Sequence, residues 1–176
     1  DSWMYVAGTL DSSMGGEHPF PPVSSWGFSQ HAPFYGDYDH NHRSVYLMTQ
    51  RIRRHPFLAL FDGADTNAST PLRVETTVPT QSLYLLNSEF VHMQATAAAK
   101  LLTATSDDFN TRLDSLYQRT LTRNPSSEER ENDLSFITSY KDELSSEMLD
   151  SAELEIRTWA ALTRVLITSN EFLTIE

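Results

Sequence analysis

Three clusters in the sequence carry side chains that could do chemistry. The first lies in "DYDHNHRSVYLM", where Asp37, Asp39 and Asn41 have the first, third and fifth spacing of a calcium loop. The sixth position of such a loop needs Gly and the twelfth Glu, but here they are His42 and Met48, so the motif fails twice. His31, His40 and His42 could ligate zinc or copper through imidazole, yet no His-x-x-Glu-His type spacing accompanies them, and no metal is expected on this chain. The second cluster, "DGADTNAST", offers Asp62 and Asp65 as a carboxylate pair for acid–base work, with Asn67 and Ser69 beside them. The same residue types build polar turns, and a turn is the simpler reading. The third, "QRIRRHP", gathers Arg51, Arg53, Arg54 and His55. A nucleic-acid patch would need a broader positive field, so pairing with the acidic helices is expected instead.

A further polar set surrounds "TTVPTQSLYLLNSEF" (Thr76–Phe90): Arg43, Asp62, Arg73, Thr76, Gln81 and Asn87. A buried Asp62 would need a partner, and Arg73 is its natural one, because an unpaired buried charge is costly. The residues expected to line a binding site are Asp62, Arg73, Thr76, Gln81 and Asn87; a fold-holding polar network is the default alternative. No nucleophile elbow, phosphate-binding loop or dinucleotide fingerprint occurs, so no catalytic residue is assigned.

The elements that must position these residues are mainly helical. "HPFLALF" reads as a short helix with Pro56 in its first turn, where a missing N–H costs nothing. Pro79–Leu86 reads as the next helix, ended by Asn87 in the left-handed conformation, with Asn87 or Ser88 capping "EFVHMQATAAAKLL". In "DFNTRLDSLYQRTLTR", Phe109, Leu113, Leu116, Tyr117 and Leu121 form one stripe. Asn124-Pro125 breaks that helix, and Ser126 with Glu129 has capping-box spacing for a helix carrying Leu134, Phe136, Ile137 and Tyr140. The last helix, "AELEIRTWAALTRVLITS", sets Leu154, Trp159, Leu162 and Leu166 at helical spacing. "RSVYLMTQRIR" and "LRVET" read as two short strands that could pair. Met14–His42 has no period and reads as a long loop, pinned by Trp26, Phe28, Phe34, Tyr35 and Tyr38.

The expected fold class is therefore mainly α: a helical bundle with a small two-stranded β element and a long irregular N-terminal loop layer. A single domain is expected over residues 1–176, divided into an irregular layer (1–42), a small β and short-helix part (43–78) and a bundle (79–176). The chain opens on Asp1 with no basic and apolar leader, and is expected to be a piece excised from a larger protein. No apolar run approaches the ~18 residues of a membrane span. Cysteine is absent, which excludes disulfides, thiolate catalysis and Cys-ligated zinc. The net charge is −11, and residues 106–155 hold 13 acidic against 5 basic side chains. Such a field repels nucleic acid and anionic lipid, so neither is an expected partner.

The order of four segments points to a family. They are "RSVYLMTQRIRRHPFLALFD", the run Arg73, Thr76, Pro79, Gln81, Leu83, Leu85, Leu86, Asn87, then "LYQRTLTRNPSSEE" and "TWAALTRVLITSNEF". Together they resemble the Planctomycete PSD-type domain of unknown function, over nearly the whole chain. Thr168, Ser82 and Glu89 depart from that pattern. The resemblance implies a C-terminal domain of a large exported bacterial protein that often carries a cytochrome c-like domain elsewhere. Any haem then belongs to another part of the parent, because this chain has no Cys to attach it. The resemblance assigns no catalytic residues.

The expected function is a non-enzymatic binding or interaction module of an exported, periplasmic or cell-surface, multidomain protein. Its partners would be the other domains of the parent chain and, through the aromatics of Met14–Tyr38, carbohydrate of extracellular polymers. Two alternatives stand beside it: a hydrolase-like enzyme using the polar cluster around Asp62 and Arg73, and a purely structural packing domain.

Overall fold

The computed structural model describes residues 1–17, 22, 24, 39–51, 54–72, 76, 78–147 and 149–174. Among the described residues there are eight α-helices: α1 (Ser2–Ala7), α2 (Pro56–Leu60), α3 (Pro79–Asn87), α4 (Glu89–Thr105), α5 (Phe109–Leu121), α6 (Ser127–Leu144), α7 (Ser151–Ile167) and α8 (Asn170–Leu173). The chain divides into two compact units: a bundle unit of Asp1–Leu10 with Asn87–Glu176, and a loop unit of Asp11–Leu86.

In the bundle unit α4 and α7 lie along each other, α1 packs on α4, α6 on α7, and α5 touches both α4 and α7. Ala95, Ala98 and Ala99 are buried on α4, and such small side chains allow a close helix approach. The α5 stripe is as its period requires: Leu113, Leu116 and Tyr117 are buried and meet Trp159 and Leu162 of α7 in one core cluster. On α6, Ile137 is buried, but Leu134 is exposed.

The first ten residues belong to this bundle, which corrects the expectation of an irregular layer over 1–42. Trp3, Met4, Val6 and Ala7 form the buried face of α1, an i, i+3, i+4 pattern in a helix too short to hold itself in water. Tertiary bonds supply what propensity cannot. The Trp3 indole donates to the Ile167 carbonyl at 2.8 Å. The Arg119 guanidinium donates at 3.0 Å to the Val6 carbonyl, which the helix C-terminus leaves open, and at 3.3 Å to that of Tyr5, which also accepts from the Gly8 amide. Gly8 ends the helix at φ 70°, a conformation that glycine adopts without a Cβ penalty.

The capping box at α6 is complete: the Ser126 hydroxyl accepts from the Glu129 amide, and the Glu129 carboxylate accepts from the Ser126 amide at 2.7 Å. Arg123 clamps this corner, with Nη2 at 2.7 Å from Glu129 and Nε at 2.6 Å from Glu171 of α8. The Arg123 guanidinium holds the Glu129 carboxyl down to about 2. A carboxyl depressed by folding stabilises the folded state above its unfolded pKa, and that contribution is lost as pH falls through the folded value. Acidification from the ordinary glutamate range toward about 2 should therefore weaken this corner. Glu129→Gln is expected to cost about 1 kcal/mol at neutral pH and to flatten the acid limb of stability. Urea titrations at neutral pH and near pH 3 check this; equal pH dependence in both proteins would refute it.

In the loop unit the expected β element is absent among the described residues. Ser44–Tyr46 form a 3-10 turn in which the Tyr46 and Leu47 amides donate to the carbonyls of Arg43 and Ser44. These local bonds take the backbone groups a strand would offer a neighbour, and the exposed Val45 has no apolar face to pack on. Among the described residues of this unit, the ladder contact is an isolated parallel bridge between Asp11 and His42. The second expected strand falls mostly on residues 73–75, outside the described residues. Pro56 sits in the first turn of α2, as expected. Phe57 and Phe61 pack with Tyr84 of α3 at ring separations of 4.9–5.9 Å, joining the two helices.

The junction between α3 and α4 also differs from expectation. Asn87 is the last residue of α3 rather than a left-handed terminator; Asp62 and Thr122 are the non-glycine residues with positive φ among those described. Ser88 stands at the N-cap of α4, but its side chain makes no capping bond.

Candidate functional site

Of the polar residues predicted around α3, Asp62, Thr76 and Gln81 are described in the loop unit, and hydrogen bonds within the chain absorb much of their capacity. Asp62 lies in the turn after α2 at φ 56°, a conformation Asp tolerates better than most residues. Its two carboxylate oxygens accept from the Thr76 amide at 2.8 Å and the Thr76 hydroxyl at 2.9 Å. Gln81 is buried. Its carbonyl oxygen accepts from the Val78 amide at 3.2 Å, which is half of a capping box at the start of α3. Its amide nitrogen donates to the Leu60 carbonyl at 2.9 Å, the open end of α2. Gln81 is thus a tie between two helix ends, and Asp62 a tie between the turn after α2 and Thr76. Arg73 lies outside the described residues, and Asn87 ends α3 on the bundle side of the chain.

Asp65, the second carboxylate of that turn, accepts from the Asn67 amide at 2.9 Å and pairs with Arg54 at 2.6 Å. The Asn67 amide bond, with the Arg54 guanidinium, keeps its carboxyl below the ordinary range, whereas a general acid needs a raised value. Arg54 is therefore matched within its own unit rather than by the acidic helices. Arg53, His31, Asp37 and the aromatics expected to pin the long loop (Trp26, Phe28, Phe34, Tyr35, Tyr38) lie outside the described residues. The His40 and His42 rings meet edge to face at 5.3 Å, and His55 Nε2 is 2.8 Å from Asp39. Among the described residues no group of three or more His, Asp or Glu side chains converges to hold a metal.

Sequence reasoning missed a cavity in the bundle unit. It has a volume of about 330 Å³ and opens where α4, α6 and α7 meet. Ala95, Ala160 and Ala161 form part of its wall, and Tyr140, Arg157 and Arg164 project from the helices around it. The alanines create the space: large side chains at these positions would close it. Two arginines of α7 share the wall but differ in their partners. Arg157 pairs with two carboxylates, Glu153 at 2.9 Å and Glu147 at 3.0 Å. Arg164 directs one nitrogen at the His92 imidazole, 2.9 Å from Nδ1, and has no carboxylate in ion-pair range among the described residues. The signal was present as Arg157 and Arg164 seven residues apart with an Ala-Ala step between, which places both on one helical face.

The family model described as "PSD1: Protein of unknown function (DUF1553)" matches residues 1–137. That is well over half of the chain, and the chain belongs to this family. The matched stretch ends within α6, so α7 and its arginines lie beyond it. No curated protein and no solved structure matches the chain. Among the described residues no helix is long and apolar enough to cross a membrane.

Proposed function

We propose that this chain is a non-enzymatic binding module of an exported, multidomain protein, and that the cavity between α4, α6 and α7 is its ligand site. The observation that supports this reading is the cavity itself. At about 330 Å³ it has the size of a small-ligand site, and its wall combines five apolar side chains with seven polar or charged ones. Asp62 and Gln81, by contrast, spend hydrogen bonds within the chain, Asp62 on Thr76 and Gln81 on the ends of α2 and α3. Export, and a haem-bearing domain elsewhere in the parent, are carried over from the family resemblance. Carbohydrate is the proposed ligand class, as would suit an exported protein that meets extracellular polymers.

The test is a titration of the chain with neutral and acidic oligosaccharides, followed by amide shifts. Saturable shifts at α4 and α7 residues around the cavity are expected. A flat response to every saccharide, with the chain folded, would remove carbohydrate as the ligand. A second reading, a packing domain for neighbouring parts of the parent, is favoured by the exposed Leu83 and Leu86 of α3.

A further inference from the structure

We infer that the bundle cavity is selective for ligands bearing an oxyanion, a carboxylate or a sulfate group, with Arg164 as the recognising residue; this deepens the binding-module reading and rests on it. The inference starts from charge. The chain carries −11 overall, and most of its buried or half-buried cations are already matched. Among the described residues Arg112 pairs with Asp107 and Glu155, Arg123 with Glu129 and Glu171, Arg130 with Asp114 and Lys141 with Glu155. Arg164 is the exception on the cavity wall. It is half-buried, and among the described residues its side chain bonds to the His92 ring.

A guanidinium has five donors in a planar fork. With one nitrogen turned to imidazole, the remaining donors of Arg164 are available, and their geometry suits a two-oxygen acceptor. Tyr140 faces the same space, its ring stacked on Phe136 at 5.7 Å, and its hydroxyl has no hydrogen-bond partner among the described residues. It supplies a neutral donor beside the cation. Ala160, Ala161 and Ile156 offer the carbon frame of a ligand an apolar wall. Glu147 and Glu153 are both bonded to the single Arg157 guanidinium, which leaves that trio one negative charge in excess, so an anionic group is placed at the Arg164 guanidinium and away from these two carboxylates. The combination selects a small polar molecule with one anionic group, not a neutral sugar of the same size.

The experiment uses the whole chain and four probes: glucuronate, glucose, inorganic sulfate and acetate, each titrated by calorimetry and by amide shifts. Glucuronate is expected to bind with shifts at α4 and α7, and glucose at least about tenfold more weakly, the value of one charge-assisted hydrogen bond. Arg164→Gln should weaken glucuronate binding by about tenfold or more and leave the thermal midpoint close to that of the parent chain, since Arg164 breaks no ion pair when removed. Sulfate competing with glucuronate supports a shared oxyanion site, and sulfate without effect restricts it to carboxylates. Equal affinity for glucose and glucuronate, or Arg164→Gln binding as well as the parent, overturns the oxyanion assignment while leaving a binding module. No response to any probe, neutral or acidic, overturns both. Tyr140→Phe provides a second variant that keeps the ring: a several-fold loss for glucuronate is expected, and unchanged affinity in both variants would refute the placement.

Discussion

Trp159→Ala is expected to cost the folded chain about 3–5 kcal/mol, a large share of the stability of a domain this size. The Trp159 side chain is 1% exposed, within the cluster formed by α4, α5, α6 and α7. Its ring packs against Phe109 at 5.8 Å and lies beneath the Arg112 guanidinium at 5.7 Å. Its indole N–H donates to Glu155 at 3.1 Å. Truncation removes the buried area, the ring contacts and one charge-assisted hydrogen bond together. The hole cannot close easily, because its walls belong to helices already held by other contacts. Trp159→Phe keeps part of the ring and should cost roughly half as much. Urea unfolding of both variants checks the pair. A loss below about 1.5 kcal/mol for Trp159→Ala, with the denaturant slope unchanged, would mean that the core reorganises around the vacancy.

The parts of this fold that were legible in the sequence are those where the helical period runs long enough to show. The α5 stripe and the Ser126–Glu129 cap could be read because each depends on residues within two turns of one another. What escaped depends on distant partners. α1 has the right apolar spacing, but six residues of it say nothing until Ile167 and Arg119 are placed beside them. The "RSVYL" segment has the composition of a strand, and composition counts only where a neighbour is present to accept a ladder. Gln81 was visible as an odd polar residue in an apolar helix start, but its partners, Val78 and Leu60, could not be read from its type. The cavity was hidden for a different reason. It is made by what α4 and α7 lack, alanine in place of larger residues, and a space between helices has no motif.

The bundle holds one buried arginine whose loss should rival that of Trp159. The Arg112 side chain is 6% exposed and turns back over the end of α4. It donates to the carbonyl of Ser106 and to that of Thr103 at 3.4 Å, acceptors that the last turn of a helix leaves open. Its other donors go to Asp107 at 3.1 Å and to Glu155. The positive charge also lies where the α4 dipole favours a cation. Glu155 joins the network from α7 and is shared with Lys141 of α6, so one carboxylate links three helices. Burial pushes the Glu155 carboxyl up, but hydrogen bonds from Lys141, Trp159 and Arg112 outweigh it and hold the group below the ordinary range. Arg112→Ala is therefore expected to cost about 3–5 kcal/mol, because one partner goes and the acceptors stay. Arg112→Lys should recover less than half of that: an ammonium can reach Glu155 but cannot serve the two carbonyls and both carboxylates at once. The separating measurement is a double-mutant cycle with Glu155→Gln. If the ion pair dominates, Glu155→Gln costs much less in the Arg112→Ala background than alone. If the two changes add, the value of Arg112 lies in closing the end of α4, and Lys141 alone suffices for Glu155.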